Sequence, residues 1–257
     1  ASKASHNNQW GVPVSLASME AGSDTGICEV GMNHSGEITP LSHQVRPHIA
    51  IITTVEPVHI QNFNSIEAIA DAKAEILDGM ESGGTAILNR DNAHFERLAA
   101  AEQKKGLKIL SFGEHKDSTA RLNDFLLAAN GTRIKATIDG QDISFTLLIA
   151  GKHIALNALA VLLAVKAAKG DIHKAAKSLE TIEPLAGRGK RERLNIGDPS
   201  NPVTLIDESY NASPVAMQAA FKVLAMIDPG RGGRRIAILG DMYELGADAA
   251  KIHAALA

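Results

Sequence analysis

Short apolar runs rich in β-branched residues recur along the chain, separated by longer stretches whose apolar residues return every three or four positions. GICEVGM (26–32), HIAIITTV (48–55), TAILN (85–89) and KILSFG (108–113) read as strands buried on both faces, and residues 65–78 and 93–105 read as helices between them. That order predicts βαβ units and a mostly parallel α/β sheet flanked by helices. The pattern then changes. RIKATIDGQDISFTLLI (133–149) alternates apolar and polar residues around Asp139-Gly140, which predicts a small antiparallel hairpin. Helices are expected at 152–169 and 171–182. EPLAGRGKRERLNIGDPSNP (183–202) is rich in Gly, Pro and charge and marks a domain boundary, giving units 1–197 and 198–257. Beyond it VTLID (203–207) and RRIAILG (234–240) read as strands around a helix at 214–227, the start of a second, Rossmann-like α/β domain. Two strands cannot make an independent sheet.

Composition narrows the class. The 257 residues, 45% of them apolar, suit one large or two smaller globular domains. Twenty-six basic against 29 acidic side chains, a net charge of −3, argue against general nucleic-acid binding and against a polybasic membrane patch. The most apolar stretch, IALNALAVLLAVKAAKG, is interrupted by Asn157 and Lys166, and ASKASHNNQWGVP lacks the pattern of a signal peptide. The single cysteine, Cys28, excludes an internal disulfide, fits a reducing compartment and reads as a small core residue. A cytoplasmic monomer is the expectation.

The chemistry begins with a misplaced lysine. In EPVHIQNFNSIEAIADAKAEIL (56–77), Ser65 can cap a helix whose apolar stripe is Ile66, Ile69, Ala70, Ile76 and Leu77, and Lys73 interrupts that stripe. Asp71 and Glu75 cannot neutralise it, because residues two apart on a helix do not face each other. Either the lysine snorkels to water or its amine has a task. In open α/β sheets ligands gather at the carboxyl ends of strands. There stand Glu29, His59 in the turn after the second strand, and Asn89 and Asp91 after the third. Glu29 and His59 can share a hard cation such as Mg²⁺, or they can be a surface glutamate and a capping imidazole.

The blocks NNQWGVPVSL, EVGMNHSGEI, ITTVEPVHIQNFNSIEAIADAKAEIL, GKHIALNALAVLLA, GRGKRERL, IDESYNASPVAMQAA and ILGDMYELG occur in that order. Together they resemble the Mur ligase family over nearly the whole chain. The resemblance implies ATP-dependent amide ligation through an acyl phosphate, joining D-alanyl-D-alanine to a UDP-N-acetylmuramoyl-tripeptide in peptidoglycan precursor synthesis. By the same resemblance Lys73 matches a lysine carried as an N-carbamate, and Glu29 and His59 match metal-binding positions that hold Mg²⁺ with it. Catalytic roles fall to Lys73, His59 and Arg188, with Lys190, Arg191 and Arg193 offering charge beside Arg188. Asn157 matches the residue that holds adenine. The family's second asparagine, directly after the histidine, is here Ile154. Asp207, Glu208, Asn211 and Asn89 fall on the nucleotide side, with Asp207 and Glu208 both open as ribose contacts. Asn7, Asn8, Asn33 and His34 fall on the substrate side, although loops also use such residues to satisfy backbone groups.

No G-x-x-x-x-G-K-[ST] occurs in the sequence. Mur ligases carry that phosphate loop upstream of the NNQWGVP block, after a uridine-nucleotide domain, so the 257 residues alone are expected to be inactive. Two other readings remain: a folylpolyglutamate-type ligase, which shares the 59–73 block, and a nucleotide-binding domain without catalysis. A dinucleotide-dependent oxidoreductase would need G-x-G-x-x-G where the chain reads EVGMNHSG.

Overall fold

The structure, a computed structural model, describes residues 6–58, 60–103, 106–128, 131–197, 200, 202–230 and 232–256. Helices α1 (Gly11–Ala17) and α2 (Ile38–Val45) precede an alternating run: β1 (Ile49–Ile52), α3 (Ile66–Ala74), β2 (Thr85–Asn89), α4 (Phe95–Gln103) and β3 (Lys108–Gly113). Strands β4 (Ala120–Ala128), β5 (Gly131–Ile138) and β6 (Gln141–Leu147) follow, then α5 (Lys152–Ala167) and α6 (Ile172–Leu179). The six strands form one sheet in chain order, parallel from β1 to β4 and antiparallel from β4 to β6.

Helices cover both faces, as a parallel sheet requires. On one face α5 and α6 bury Ala155, Leu159, Leu162, Leu163 and Ala176 against Ile87, Phe112, Ile134 and Ile138. On the other, α3 and α4 bury Ile69, Ala70, Phe95 and Leu98 against Ile52, Val55 and Leu88. The expected hairpin forms about Asp139 (φ 50) and Gly140 (φ 79), the positive pair that a two-residue turn needs. The antiparallel part is larger than expected, since β4 joins it. Between Leu122 and Asp124 its register shifts by a bulge, which hides the alternation of that strand in the sequence. β3 and β4 pair over two positions only, Phe112↔Ala120 and Gly113↔Arg121, so residues 114–119 can link two parallel strands without a crossover helix.

Two expected strands do not form. Residues 26–32 and 234–240 join neither sheet, although Gly31 N–H donates to the Asn7 carbonyl at 2.7 Å. Ile27 is 65% exposed and Ile238 94%, which strips both runs of the burial that their composition suggested. A strand is defined by its neighbour, and apolar content alone does not supply one. Conversely, the charged stretch KRERL folds as β7 (Lys190–Leu194) and pairs antiparallel with β8 (Val203–Asp207) in a separate ribbon. The ribbon crosses the expected boundary at 197. Helix α7 (Pro214–Met226), capped by Ser213, follows β8, and a short α8 (Ala249–Ala254) lies near the end. No helix among the described residues is long and apolar enough to cross a membrane.

Candidate active site

Ser65 starts α3 by accepting from the Ala68 N–H at 3.2 Å, and the helix carries Lys73 in its last turn. Asp71 faces away and holds Arg97 through two contacts of 2.6 and 2.7 Å. Glu75 also faces away and accepts from backbone N–H groups of Gly36, Ile38 and Thr39. Both neighbouring carboxylates are therefore engaged elsewhere. Lys73 is half-buried, and burial alone lowers the pKa of its amine.

Lys73 lines a cleft of about 2610 Å³ that runs past the carboxyl ends of β1 and β2, where Thr53, Thr54 and Asn89 stand. Glu29 lies in the same cleft, in the irregular segment 26–32. Asn7 donates from Nδ2 to Glu29 Oε1 at 2.9 Å, and its carbonyl accepts from Gly31 N–H at 2.7 Å. A Cβ at Gly31 would sit 2.9 Å from the Asn7 amide, so a larger residue there would push that side chain aside. Asn89 is pinned at both ends of its side chain, donating to the Thr53 carbonyl and accepting from Asp91 N–H, each at 3.0 Å. Asp91 in turn accepts from Glu114 and His115 N–H groups and ties the end of β2 to the end of β3.

The far wall comes from α5 and the β7–β8 ribbon. Thr132 fixes the start of α5, accepting from Gly151 N–H and donating to the Ile149 carbonyl at 3.0 Å each, and this sets His153 and Asn157 into the cleft. Arg188, in the turn before β7, also lines the cleft, its guanidinium 4.3 Å from the centre of the Tyr210 ring. Glu208 and Asn211 also line the cleft, whereas Asp207 does not. The Asp207 carboxylate accepts from Gly187 N–H at 2.8 Å and Ser209 N–H at 3.1 Å. The Ser209 hydroxyl and these N–H groups keep its pKa low. Partial burial and the Asp207 charge raise the Glu208 carboxyl, with Arg188 acting against them.

Of the residues expected from sequence, Lys73, Glu29, Asn89, Asn157, Arg188, Glu208 and Asn211 line this one large cleft, which also follows β1 along its whole length. His59 lies outside the described residues. Asn33 and His34 are exposed on the loop that continues from the cleft-lining segment 29–32, and neither lines the cleft itself. Asn8 caps α1, its Oδ1 accepting from Trp10 and Gly11 N–H. Sequence reasoning missed Tyr210 and the bond from Asn7 to Glu29, because each joins residues about twenty positions apart in irregular segments. Cys28 lines the cleft beside Glu29 and is only half-buried, which corrects the expectation of a core residue.

The cleft is lined by Lys73 and Glu29 and by the cations Arg188, Lys190 and Lys152, of which Lys190 is paired with Glu192 at 2.8 Å and Lys152 with Glu114 at 2.6 Å. Among the described residues no group of three or more His, Cys, Asp or Glu side chains is placed to hold a metal. Two oxygen ligands suffice for a cation such as Mg²⁺ that keeps most of its waters. Glu29 would supply one, and Lys73 the other only after its amine became an anion.

Residues 1–165 match the family model described as the Mur ligase middle domain. The UDP-N-acetylmuramoyl-tripeptide–D-alanyl-D-alanine ligase of Rickettsia prowazekii (strain Madrid E) is 32% identical over 254 residues, which are 98% of this chain and 55% of that protein. A crystal structure of MurF from Acinetobacter baumannii superposes with a TM-score of 0.89 at 27% identity, covering 99% of this chain and 53% of that one. MurF ligase from Thermotoga maritima in complex with ADP shares the fold, with a TM-score of 0.82 at 22% identity over 97% of this chain and 55% of that one. The chain spans about half the length of the curated relatives it matches. On the match of its first 165 residues, which run from before the Glu29 segment into α5, the chain belongs to the Mur ligase family.

Proposed function

We propose that this chain forms the ATP-handling middle unit, and the opening of the following α/β unit, of a cytoplasmic, monomeric ligase that joins D-alanyl-D-alanine to a UDP-N-acetylmuramoyl-tripeptide. The observation that carries this reading is the half-buried Lys73 amine, which has no carboxylate partner among the described residues and shares a cleft with Glu29. The name of the 32% identical relative gives the two substrates, and the ADP complex of the T. maritima structure supports the nucleotide.

A carboxylate is a poor electrophile. In the proposed reaction the tripeptide carboxylate oxygen attacks the γ-phosphorus of ATP and ADP leaves. The amine of D-alanyl-D-alanine then attacks the acyl phosphate carbon, loses a proton and expels phosphate. Arg188, supported by Lys190, offsets the charge that builds on the transferring group. Asn157 holds the adenine, Glu208 and Asn211 take the ribose side, and Asp207 holds the Gly187–Ser209 turn that presents them. Asn89 fixes the strand end beneath the phosphates. Asn7, Asn8, Asn33 and His34 serve the substrate side, Asn7 through its bond to Glu29.

Lys73 enters as a carbamate. The neutral amine adds to CO₂ and releases one proton, so the lowered pKa favours the modification by raising the fraction of free amine. The product is a carboxylate-like group that, with Glu29 and His59, would hold Mg²⁺. The metal would supply charge neutralisation at the phosphates. In a full-length protein carrying this sequence, mass spectrometry of the product formed from ATP, UDP-N-acetylmuramoyl-tripeptide and D-alanyl-D-alanine tests the reading. The extended peptide with stoichiometric ADP supports it. Turnover of a folate with glutamate, and none of the muramoyl substrate, overturns it.

A further inference from the structure

The loop 33–37 is held by two carboxylates, neither of which belongs to an ordinary cap. Helix α2 has no side-chain cap from its own N-cap residue, Glu37. That carboxylate turns back instead, accepting from Asn33 N–H at 2.7 Å and His34 N–H at 3.2 Å, contacts that lower its pKa. The cap of α2 arrives from across the molecule. Glu75 accepts from Ile38 and Thr39 N–H through Oε2 at 3.0 and 3.1 Å. Through Oε1 it takes Gly36 N–H at 2.6 Å and the Ser35 hydroxyl at 3.3 Å. Asp78 and Ser42 extend this lacing, accepting from Thr39 and donating to the Ile76 carbonyl.

Five backbone N–H groups of this loop and helix start are thereby fixed; the Asn33 amide remains exposed to solvent, and the exposed His34 ring is held through Nδ1 against Glu37 Oε1 at 3.1 Å. Fixed backbone that presents one exposed amide and one already oriented imidazole is the arrangement of a preorganised binding loop, since ordering cost is met in folding rather than in binding. Glu75 stands two residues beyond Lys73, so one turn of helix carries the cleft amine on one side and the loop anchor on the other.

We propose that Glu75 is a positioning residue for the tripeptide-bearing substrate: its carboxylate sets the 33–37 loop in register with Lys73 so that Asn33 and His34 meet that substrate beside the phosphoryl-transfer site. This rests on the ligase reading and on the substrate-side assignment of the loop. Glu75→Gln keeps the length of the side chain but replaces one acceptor oxygen with a donor aimed at N–H groups.

The test measures steady-state kinetics in a full-length protein carrying this sequence. Glu75→Gln is expected to raise KM for UDP-N-acetylmuramoyl-tripeptide about tenfold, in the range for loss of hydrogen bonds to a charged group, with KM for ATP unchanged. Asn33→Ala raises the same KM, and the double variant raises it no further than the larger single effect, because both act through one loop. A residue that merely braced the fold would lower the active fraction, hence kcat, and leave both KM values alone. Gly36→Ala gives an independent arm should Glu75→Gln fold poorly. Gly36 has φ +86 with open space around a Cβ, so the substitution strains the loop without touching α3, and the same rise in KM is expected. If Asn33→Ala raises the KM while Glu75→Gln and Gly36→Ala do not, the role of Glu75 is wrong and the loop assignment stands. If Asn33→Ala and His34→Ala both leave the KM unmoved, the loop assignment and the inference fall together.

Discussion

Arg188 is held by one ring, and removing the ring gives a number. Its guanidinium sits 4.3 Å from the Tyr210 centroid, well inside cation–π range, and Tyr210 is 54% exposed. Exposure puts the contact at the lower end of such interactions, about 0.5–1 kcal/mol, which is about two- to fivefold in affinity. Tyr210→Leu in a full-length protein carrying this sequence is therefore expected to raise KM for ATP about two- to fivefold, while Tyr210→Phe, which keeps the ring face, preserves the stacking. Arg188→Ala removes the cation itself, and loss of hydrogen bonds to a charged group raises the effect to about tenfold or more. Gly187→Ala should mimic Tyr210→Leu, because a Cβ at Gly187 (φ +75) would stand 2.7 Å from the Tyr210 Cβ. Isothermal titration with ATP·Mg²⁺ and initial rates provide the two readouts. Equal ATP affinity for Tyr210→Leu and the parent, alongside a defective Arg188→Ala, would refute the claim that the ring orients the arginine.

Three further outcomes are expected. Lys73 has a folded-state pKa below its unfolded value, so the native state binds fewer protons between that lowered pKa and about 10.5 and stability rises with pH across the window. In CO₂-free buffer Lys73→Met should remove that slope and stabilise the protein at neutral pH, which urea unfolding at several pH values checks. Leu159 is fully buried under the sheet, and Leu159→Ala should cost about 2–5 kcal/mol, lowering Tm by about 10 °C in calorimetry. The 257-residue chain itself, whose sequence contains no G-x-x-x-x-G-K-[ST], should release no ADP above background in a coupled assay, and turnover there would contradict the reading.

Much of the fold was legible because local chemistry and burial agree. Asp139-Gly140 announced its turn, Ser65 its helix, and the β-branched runs at 49–52 and 85–89 their strands. The misses have a common cause. The run at 26–32 resembles a buried strand but joins no sheet, the bulge near Asn123 masks β4, and the charged β7 exists because β8 lies beside it. Pairing is a long-range property that composition does not record. The site divides in the same way. Lys73 stood out because it breaks a stripe, and the i±2 rule correctly withheld Asp71 and Glu75 from it. Where those two carboxylates go, to Arg97 and to the α2 backbone, depends on helix packing that no single stretch encodes.

The central claim is that Lys73 works as a charged group in ligation and not as a packing stem. The direct measurement is the rate of muramoyl-pentapeptide formation by Lys73→Ala in a full-length protein carrying this sequence, with folding verified by calorimetry. Loss of one preorganised group that acts on transition-state charge predicts a fall in kcat of about a hundred- to a thousandfold. A folded Lys73→Ala enzyme that ligates at the parent rate would contradict the account.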